Sequence, residues 1–589
     1  MSVGDERATG VGVGLVSLSL MLAELVLTRI FSVTIWYHFA FVAIAVALFG
    51  AGVGGLFVHL ARARLTQVDA RRWLAGLALG LSLSLVLVDL ALLRVPPNWF
   101  GGTLGLFTVF TARLMIVFLL AATPFLFGGA AIALAILRRP ARIGRLYAWD
   151  LVGAGLGCLL VIPALHWFGG PQALVLAGAV ACLAAVVFFG RRSRVTPYAL
   201  ALALGLGALA SSQLGARVFA LRVAKGLDLR NPFVKPEWTR WNAHSHVAVL
   251  PPHGFRGWGM SENFSGRLPE QKTLVIDMNA MTTLTRFDGD VGRVGHTWYD
   301  LSSFAYRLRP RAEAVCVIGA GGGKDVLGAL SSKAAHVWAV ELNRLIVDEV
   351  MRGAYRDFTG GLYERDDVTV VVDDGRGFLG RTEQRFDVIQ LSMVDTSAAT
   401  AAGAYALTEN SLYTLEAAGE YIGKLKPGGL LSISSMSVPG LAVGARLAAI
   451  VREGLAADRR ARNVALSVLV LRHGQLYNVI AKRGAFTELE LQRAEQQACE
   501  LGFTIVYRPR QDPPEGVSSP DGADAGGEGK AEAEADEVLG ATEEEFDEDG
   551  VRVLRSTRPR ERLDPNEPPE AREARWIYNI LTAEDGEAL

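Results

Sequence analysis

Three glycines, Gly319, Gly321 and Gly323, stand in VIGAGGGKDVL (317–327), after an apolar run of strand length and before a helical pattern. Glycine lets a chain turn tightly and bring its backbone against a ligand. Glu341 follows 18 residues after Gly323, at the end of the next apolar run. A carboxylate at such a strand end can accept both hydroxyl protons of a ribose. Asp373 and Asp374 close the third run, in VVDDGRGFL (371–379), where a carboxylate can take the exocyclic amine of adenine. A lone GxGxG is weak, but glycines and acids in this order, each at a strand's carboxyl end, point to an adenosine-bearing sulfonium. A dinucleotide would want GxGxxG with its pyrophosphate at the helix N-terminus. Here Lys324 and Asp325 follow the glycines, and an acid there repels a pyrophosphate. The expected small-molecule ligand is S-adenosylmethionine or its decarboxylated form.

The elements that must position these groups alternate between strand and helix. AVCVIGA (314–320), HVWAVEL (336–342), VTVVVDD (368–374), FDVIQLSM (386–393) and GLLSISSM (429–436) read as strands with helical patterns between them. That alternation predicts a parallel sheet covered on both faces. NVALSVLVL (463–471) and QLYNVIAKR (475–483) flank a turn at His473 and Gly474 and predict an antiparallel pair at the sheet edge. Before the sheet, HVAVL (246–250), KTLVIDM (272–278) and TTLTRF (282–287) predict a small antiparallel unit.

The first 212 residues are of another kind. Apolar runs recur near 11–32, 38–61, 73–93, 113–137, 146–168 and 172–190, each near the roughly 20 residues that cross a hydrocarbon core. A shorter run at 196–212 reads as interfacial or re-entrant. Arginines after the second, fourth and sixth runs place those loops in the cytoplasm, and Arg217, Arg222, Lys225 and Arg230 after the seventh favour a cytoplasmic exit. Glu24, Arg29, Asp89 and Asp150 are costly in apolar spans and so candidates for a polyamine or cation path; the bland alternatives are a Glu24–Arg29 pair and, for Asp150 near a membrane end, a helix cap or a headgroup contact. Lys plus Arg (59) balance Asp plus Glu (60), which removes the electrostatic case for nucleic acid. Four scattered cysteines, without CxxC spacing, exclude a disulfide framework and a zinc site.

The fold class expected is a polytopic α-helical membrane bundle, then a small β-rich domain and an α/β Rossmann-like domain of the methyltransferase type. The boundaries are 1–212 for the helices, 213–310 for the linker and β-rich part, and 311–510 for the α/β part. An acidic insert at 511–570, too poor in apolar residues to fold alone, and a segment at 571–589 follow, with RWIYNIL (575–581) returning to pack on the domain.

With AELVLTRIFSV, YAWDLVGAGLG, WNAHSHVAV and ALTENSLYTLEAAGEYIGKLKPGGLLSIS added to the motifs above, the chain resembles the membrane-fused members of the spermidine/spermine synthase family. The resemblance implies transfer of an aminopropyl group from decarboxylated S-adenosylmethionine to a polyamine-type amine. It assigns Asp395, in LSMVDT (391–396), as the catalytic carboxylate base of a DxxD loop whose first position is Ser392. It also implies substrate-binding roles for Ser392, for Asp300 and Tyr299 in HTWYDLSSF (296–304), and for Tyr405. At the position of the family's acid for the donor's free amine stands Gly322, with Lys324 nearby. That lysine either attracts the carboxylate of intact S-adenosylmethionine or points to solvent, so methyl transfer to a small or lipid-borne acceptor is an alternative. A membrane transporter or sensor with a non-catalytic binding domain is another. His244 and His246 are expected on one strand face, without a metal. Expected partners are a small-molecule amine and the lipid bilayer, with a homo-oligomer admitted. The expected place is the inner (plasma) membrane, multi-pass, with the soluble part cytoplasmic.

Overall fold

The computed structural model describes residues 3–35, 40–94, 104–190, 192–252, 257, 259–394, 411–436, 443–458, 464–509, 542–546, 552–556, 577 and 581. Asp395 and Tyr405 lie outside them. The apolar runs form helices α1 (Val3–Thr34), α2 (Ala40–Leu60), α3 (Ala70–Arg94), α4 (Leu104–Arg138), α5 (Ile143–Phe168) and α6 (Gly170–Phe189). These six are long and apolar enough to cross a membrane. Small residues let them approach closely: a Cβ on Gly153 would lie 1.9 Å from the Gly14 carbonyl, and one on Gly54 2.2 Å from that of Leu126.

The seventh run is a helix, α7 (Thr196–Ser211), that doubles back along α6 rather than re-entering. Thr196 Oγ1 bonds the Gly190 carbonyl (2.6 Å) at one end of this hairpin, and Gln172 Nε2 bonds the Ala210 carbonyl (2.8 Å) at the other.

Beyond the helices lies a four-stranded antiparallel sheet in consecutive order: β1 (Trp238–Trp241), β2 (His246–Leu250), β3 (Gln271–Ile276) and β4 (Ala280–Thr285). The α/β part supplies β5 (Ala314–Ile318), β6 (His336–Glu341), β7 (Val368–Val372), β8 (Phe386–Ser392), β9 (Leu425–Met436), β10 (Val468–His473), β11 (Leu476–Lys482) and β12 (Thr504–Tyr507). Their order is β12-β10-β11-β9-β8-β5-β6-β7, with β9-β8-β5-β6-β7 parallel and the other three antiparallel. The chain therefore leaves β5 in one direction for β6 and later returns on its other side at β8. A crevice opens outside the carboxyl ends at that switch, the geometry of a Rossmann-like sheet. The five parallel strands and the β10-β11 hairpin match the sequence pattern. β12, four residues long, is an additional edge that a period-two pattern cannot flag.

The helices that bear on the crevice are α8 (Lys324–Ser331), α9 (Gly375–Arg381), α10 (Leu415–Lys424) and α11 (Val443–Ala457); α12 (Glu488–Leu501) covers the sheet on the antiparallel side. Ile577 and Leu581 are buried in the core shared by β5, β8 and β9, as expected for the terminal segment. Within the acidic stretch, Thr542–Phe546 and Arg552–Ser556 pair antiparallel with Glu543 opposite Arg555.

Arg29 does not pair with Glu24. Its guanidinium reaches Asp277 in the β3–β4 turn at 2.8 and 3.0 Å, both side chains 5% exposed or less. Asp277 also accepts from Ser32 Oγ (2.8 Å) and the His246 amide (2.6 Å), while Lys225 Nζ meets its carbonyl (2.6 Å). Spacing within one run could not reveal a partner 248 residues away. Asp150 accepts from Ser17 of α1, and Asp89 is fully buried.

Candidate functional site

Gly319, Gly321 and Gly323 all have positive φ, 72°, 50° and 82°, the region a side chain disfavours. They form the turn between β5 and α8. The turn is held against β4: a Cβ on the intervening Gly322 would lie 2.6 Å from the Thr283 carbonyl. Glu341 ends β6 beside it and is only 7% exposed. One of its oxygens accepts from the Gly321 amide (2.8 Å) and the other from the Asn343 amide (2.8 Å). Burial raises its carboxyl above the ordinary range, and those amides oppose the rise. An ionised carboxylate has about four lone-pair sites, so capacity remains for ribose hydroxyls after the two amides are served.

Asp373 and Asp374 follow β7. Asp374 caps α9 by accepting from the Gly377 amide (2.7 Å), and Asp373 accepts from the Asp374 amide (2.9 Å) and pairs with Arg381. Both acids thus hold local structure as well as facing the crevice. Together with the glycine turn, Glu341 and Ser392, they line one cavity of about 1400 Å³, walled further by β4, α10 and α11. Thr283 Oγ1, buried and without a hydrogen-bond partner, lies in that wall. The volume exceeds the roughly 300–1000 Å³ of a typical small-ligand site.

Two expectations are corrected by the geometry. Lys324 neither faces solvent nor stands free for a ligand carboxylate: its Nζ is 2.8 Å from Asp300, which is 1% exposed. Burial alone would raise the Asp300 carboxyl, but Lys324 and the Ser302 hydrogen bonds overcome it and hold it low. Asp300 is thus the buried partner of Lys324, which lines the cavity. Tyr299, beside it in sequence, packs on Phe264, with ring centroids 5.1 Å apart, and under the Arg307 guanidinium. His244 and His246 do not share a face: His244 sits in the turn before β2 and lines the cavity, whereas His246 is buried against Trp241.

Asp325 was passed over in the sequence except as an obstacle to pyrophosphate. It lines the cavity, lies 3.1 Å from Ser302 Oγ, and bonds Ser392, the residue standing where a carboxylate was expected. Burial raises its carboxyl, with Lys324 opposing. Its position one residue beyond Lys324 in the first turn of α8 was the available signal, since that turn must face the strand ends.

Two buried histidines give the fold a pH dependence. Burial pulls His296 and His246 each down to about 4, from about 6.5 unfolded. Neutral burial therefore contributes fully above pH 6.5 and is lost as pH falls through 4. At pH 5 each costs on the order of 1 to 2 kcal/mol. The thermal midpoint of detergent-solubilised protein should fall between pH 6.5 and 5, and His296→Gln should flatten the decline. A midpoint constant over that interval would contradict this.

No protein-family model and no curated protein sequence matches this chain. Among solved structures it is similar to spermidine synthase from Thermotoga maritima, at 13% identity and a TM-score of 0.30 over 45% of this chain and 77% of that one. A probable spermidine synthase from Corynebacterium glutamicum gives 13% and 0.32 over 48% and 99%. An Escherichia coli protein assigned to the methyltransferases gives 15% and 0.21 over 35% and 93%. At such identities and scores the activities of those proteins stay their own, and the Rossmann-like architecture stands on the strand order and the crevice.

Proposed function

We propose that the crevice binds decarboxylated S-adenosylmethionine and transfers its aminopropyl group to an amine. The observation that carries this reading is Glu341, buried at the end of β6 with one oxygen on the Gly321 amide, facing one cavity with Asp373 and Asp374. Acids dominate the described wall: Asp325, Glu341, Asp373, Asp374 and Glu416 against Lys324 and Arg446. Lys324 is moreover already matched by Asp300. Such a wall favours a sulfonium and a cationic acceptor together.

In the proposed step the acceptor's neutral nitrogen donates its lone pair to the propyl carbon on sulfur. The carbon–sulfur bond breaks, its electrons stay on sulfur, and neutral methylthioadenosine leaves. The new ammonium yields a proton to a carboxylate. Asp395 retains that role as a proposal from the family likeness. Asp325 is a second candidate, since burial moves its carboxyl toward the range in which a general base works.

Arg446, exposed on α11 in the cavity wall, favours a second reading, in which it meets the carboxylate of intact S-adenosylmethionine and a methyl group is transferred. Purified protein given labelled decarboxylated donor and putrescine should release methylthioadenosine. Release of S-adenosylhomocysteine from the intact donor, with no methylthioadenosine, would replace the first reading by the second. Asp325→Asn should lower turnover at least about tenfold while leaving nucleoside affinity unchanged, and an unaltered rate would remove Asp325 from the chemistry.

A further inference from the structure

We infer that the cavity lies on the outer side of the membrane, across the helix bundle from the cytoplasm. The first support is the direction of each helix. α1 and α5 run parallel, since Gly14 faces Trp149 and Gly153 while Gly157 faces Leu18 and Met21. α6 runs against α1: Gly12 faces Phe188 near one end, and Gly170 faces Ile30 near the other. α2 and α4 are parallel, with Gly50 against Ala122 and Gly54 against Leu126 and Ala130. α3 runs against α6 through Ser82 and Cys182. α7 then returns along α6 to its starting end. With all seven helices passing end to end, the two chain ends of the bundle fall on opposite faces.

The second support is where the sheets attach. The Lys225 amide bonds the Thr34 carbonyl at the end of α1 (2.9 Å), and Trp241 packs on Gly169 and Gly170 between α5 and α6. The Arg29–Asp277 pair lies on the same face. All are at the face where α1, α5 and α7 end.

The third support is charge. The connections at the opposite face, 62–72, 138–145 and 191–194, carry four, four and three arginines. Arg138 of α4 bonds the Thr66 carbonyl (2.8 Å), and Arg142 pairs with Glu6 (3.4 Å), so two of these connections and the start of α1 share that face. The sequence between α1 and α2, between α3 and α4, and at the single residue between α5 and α6 contains no lysine or arginine. Arg94 closes α3 there, and Arg113 lies further along α4. Short basic connections are retained in the cytoplasm, whereas long folded domains translocate largely regardless of charge. Two of the four basic residues after α7 belong to such a domain. There Lys225 serves Asp277, and Arg230 pairs with Asp228 (2.8 Å), as parts of a folded domain. α7, at about 24 Å, is short for a roughly 30 Å core, a mismatch that local thinning and flanking residues absorb.

The assignment of side stands on helix direction and charge alone. Its extension, that the acceptor amine and the nucleoside donor both reach the cavity from outside the cytoplasm, rests on the proposed transferase reading. Cys499 is exposed on α12, Cys158 is exposed on α5, and Cys182 and Cys316 are buried. In spheroplasts carrying the full chain with Cys158→Ser, a membrane-impermeant maleimide should label Cys499 equally before and after permeabilisation. The Cys158→Ser, Cys499→Ser chain should stay unlabelled. Labelling of Cys499 only after permeabilisation would overturn the inference. Fusions at the C-terminus check it independently: alkaline phosphatase should be active and green fluorescent protein dark, and the reverse pattern would overturn it. Product release from solubilised protein reads the transferase proposal whichever side the domain occupies, so the two can fail separately.

Discussion

Glu341→Ala is expected to abolish nucleoside binding, lowering affinity by at least about 100-fold. The loss has two parts. The carboxylate now accepts from the Gly321 and Asn343 amides, and hydrogen bonds to a charged group contribute about 1.5–3 kcal/mol each. Removing it frees the glycine turn from β6 and leaves two donors without their partner, before any ribose contact is counted. About 2.8 kcal/mol suffices for a hundredfold change. Calorimetric titration with intact and decarboxylated S-adenosylmethionine measures it, and the same pair of titrations on the unaltered protein ranks the two donors. A dissociation constant within a few-fold of the original would remove Glu341 from the site. Glu341→Gln retains an acceptor for one amide and should fall between the two.

Arg29→Met should produce the largest loss of stability, about 3–5 kcal/mol, because removing one partner of a buried pair strands the other charge. Asp277 would keep Ser32 and the His246 amide but lose its countercharge, at a place where Trp241, Ala248, Leu250, Val275 and Met278 pack into the same apolar core as the helices. Asp277→Asn should cost less, since the amide can still accept from Arg29. A double-mutant cycle read by thermal unfolding in detergent isolates the pair. An unchanged midpoint for Arg29→Met would show that the pair does not hold the helices to the sheet.

The parts of this molecule legible in sequence are those set by local periodicity. The five parallel strands, the hairpin at His473 and Gly474, and the glycine-and-acid progression to Asp374 each arise from patterns within ten or so residues. Illegible parts depend on partners far along the chain. Lys324 could be placed on the first turn of α8 but not assigned to Asp300, because the helical turn carrying Asp300 arrives from before the sheet. Arg29 had an acid five residues away in its own run, yet that neighbour lies on a different side of the helix from Asp277. Asp325 is plain in the sequence beside Lys324, but the bond it makes to Ser392 joins the first turn of α8 to the end of β8, which no local pattern connects.

The turn at Asp277 and Met278, both with positive φ, binds the first helix to a segment translated some 245 residues later. α1 is therefore made with an uncompensated guanidinium and acquires its countercharge only when β3 and β4 have been made and folded against it. Excision at the natural-looking boundary near residue 213 would yield a fragment with an orphaned aspartate and an apolar sheet face stripped of its cover. Anyone seeking a water-soluble form for crystallisation should redesign that face first, replacing Met278 and Trp241 with polar residues, or keep the first helix attached.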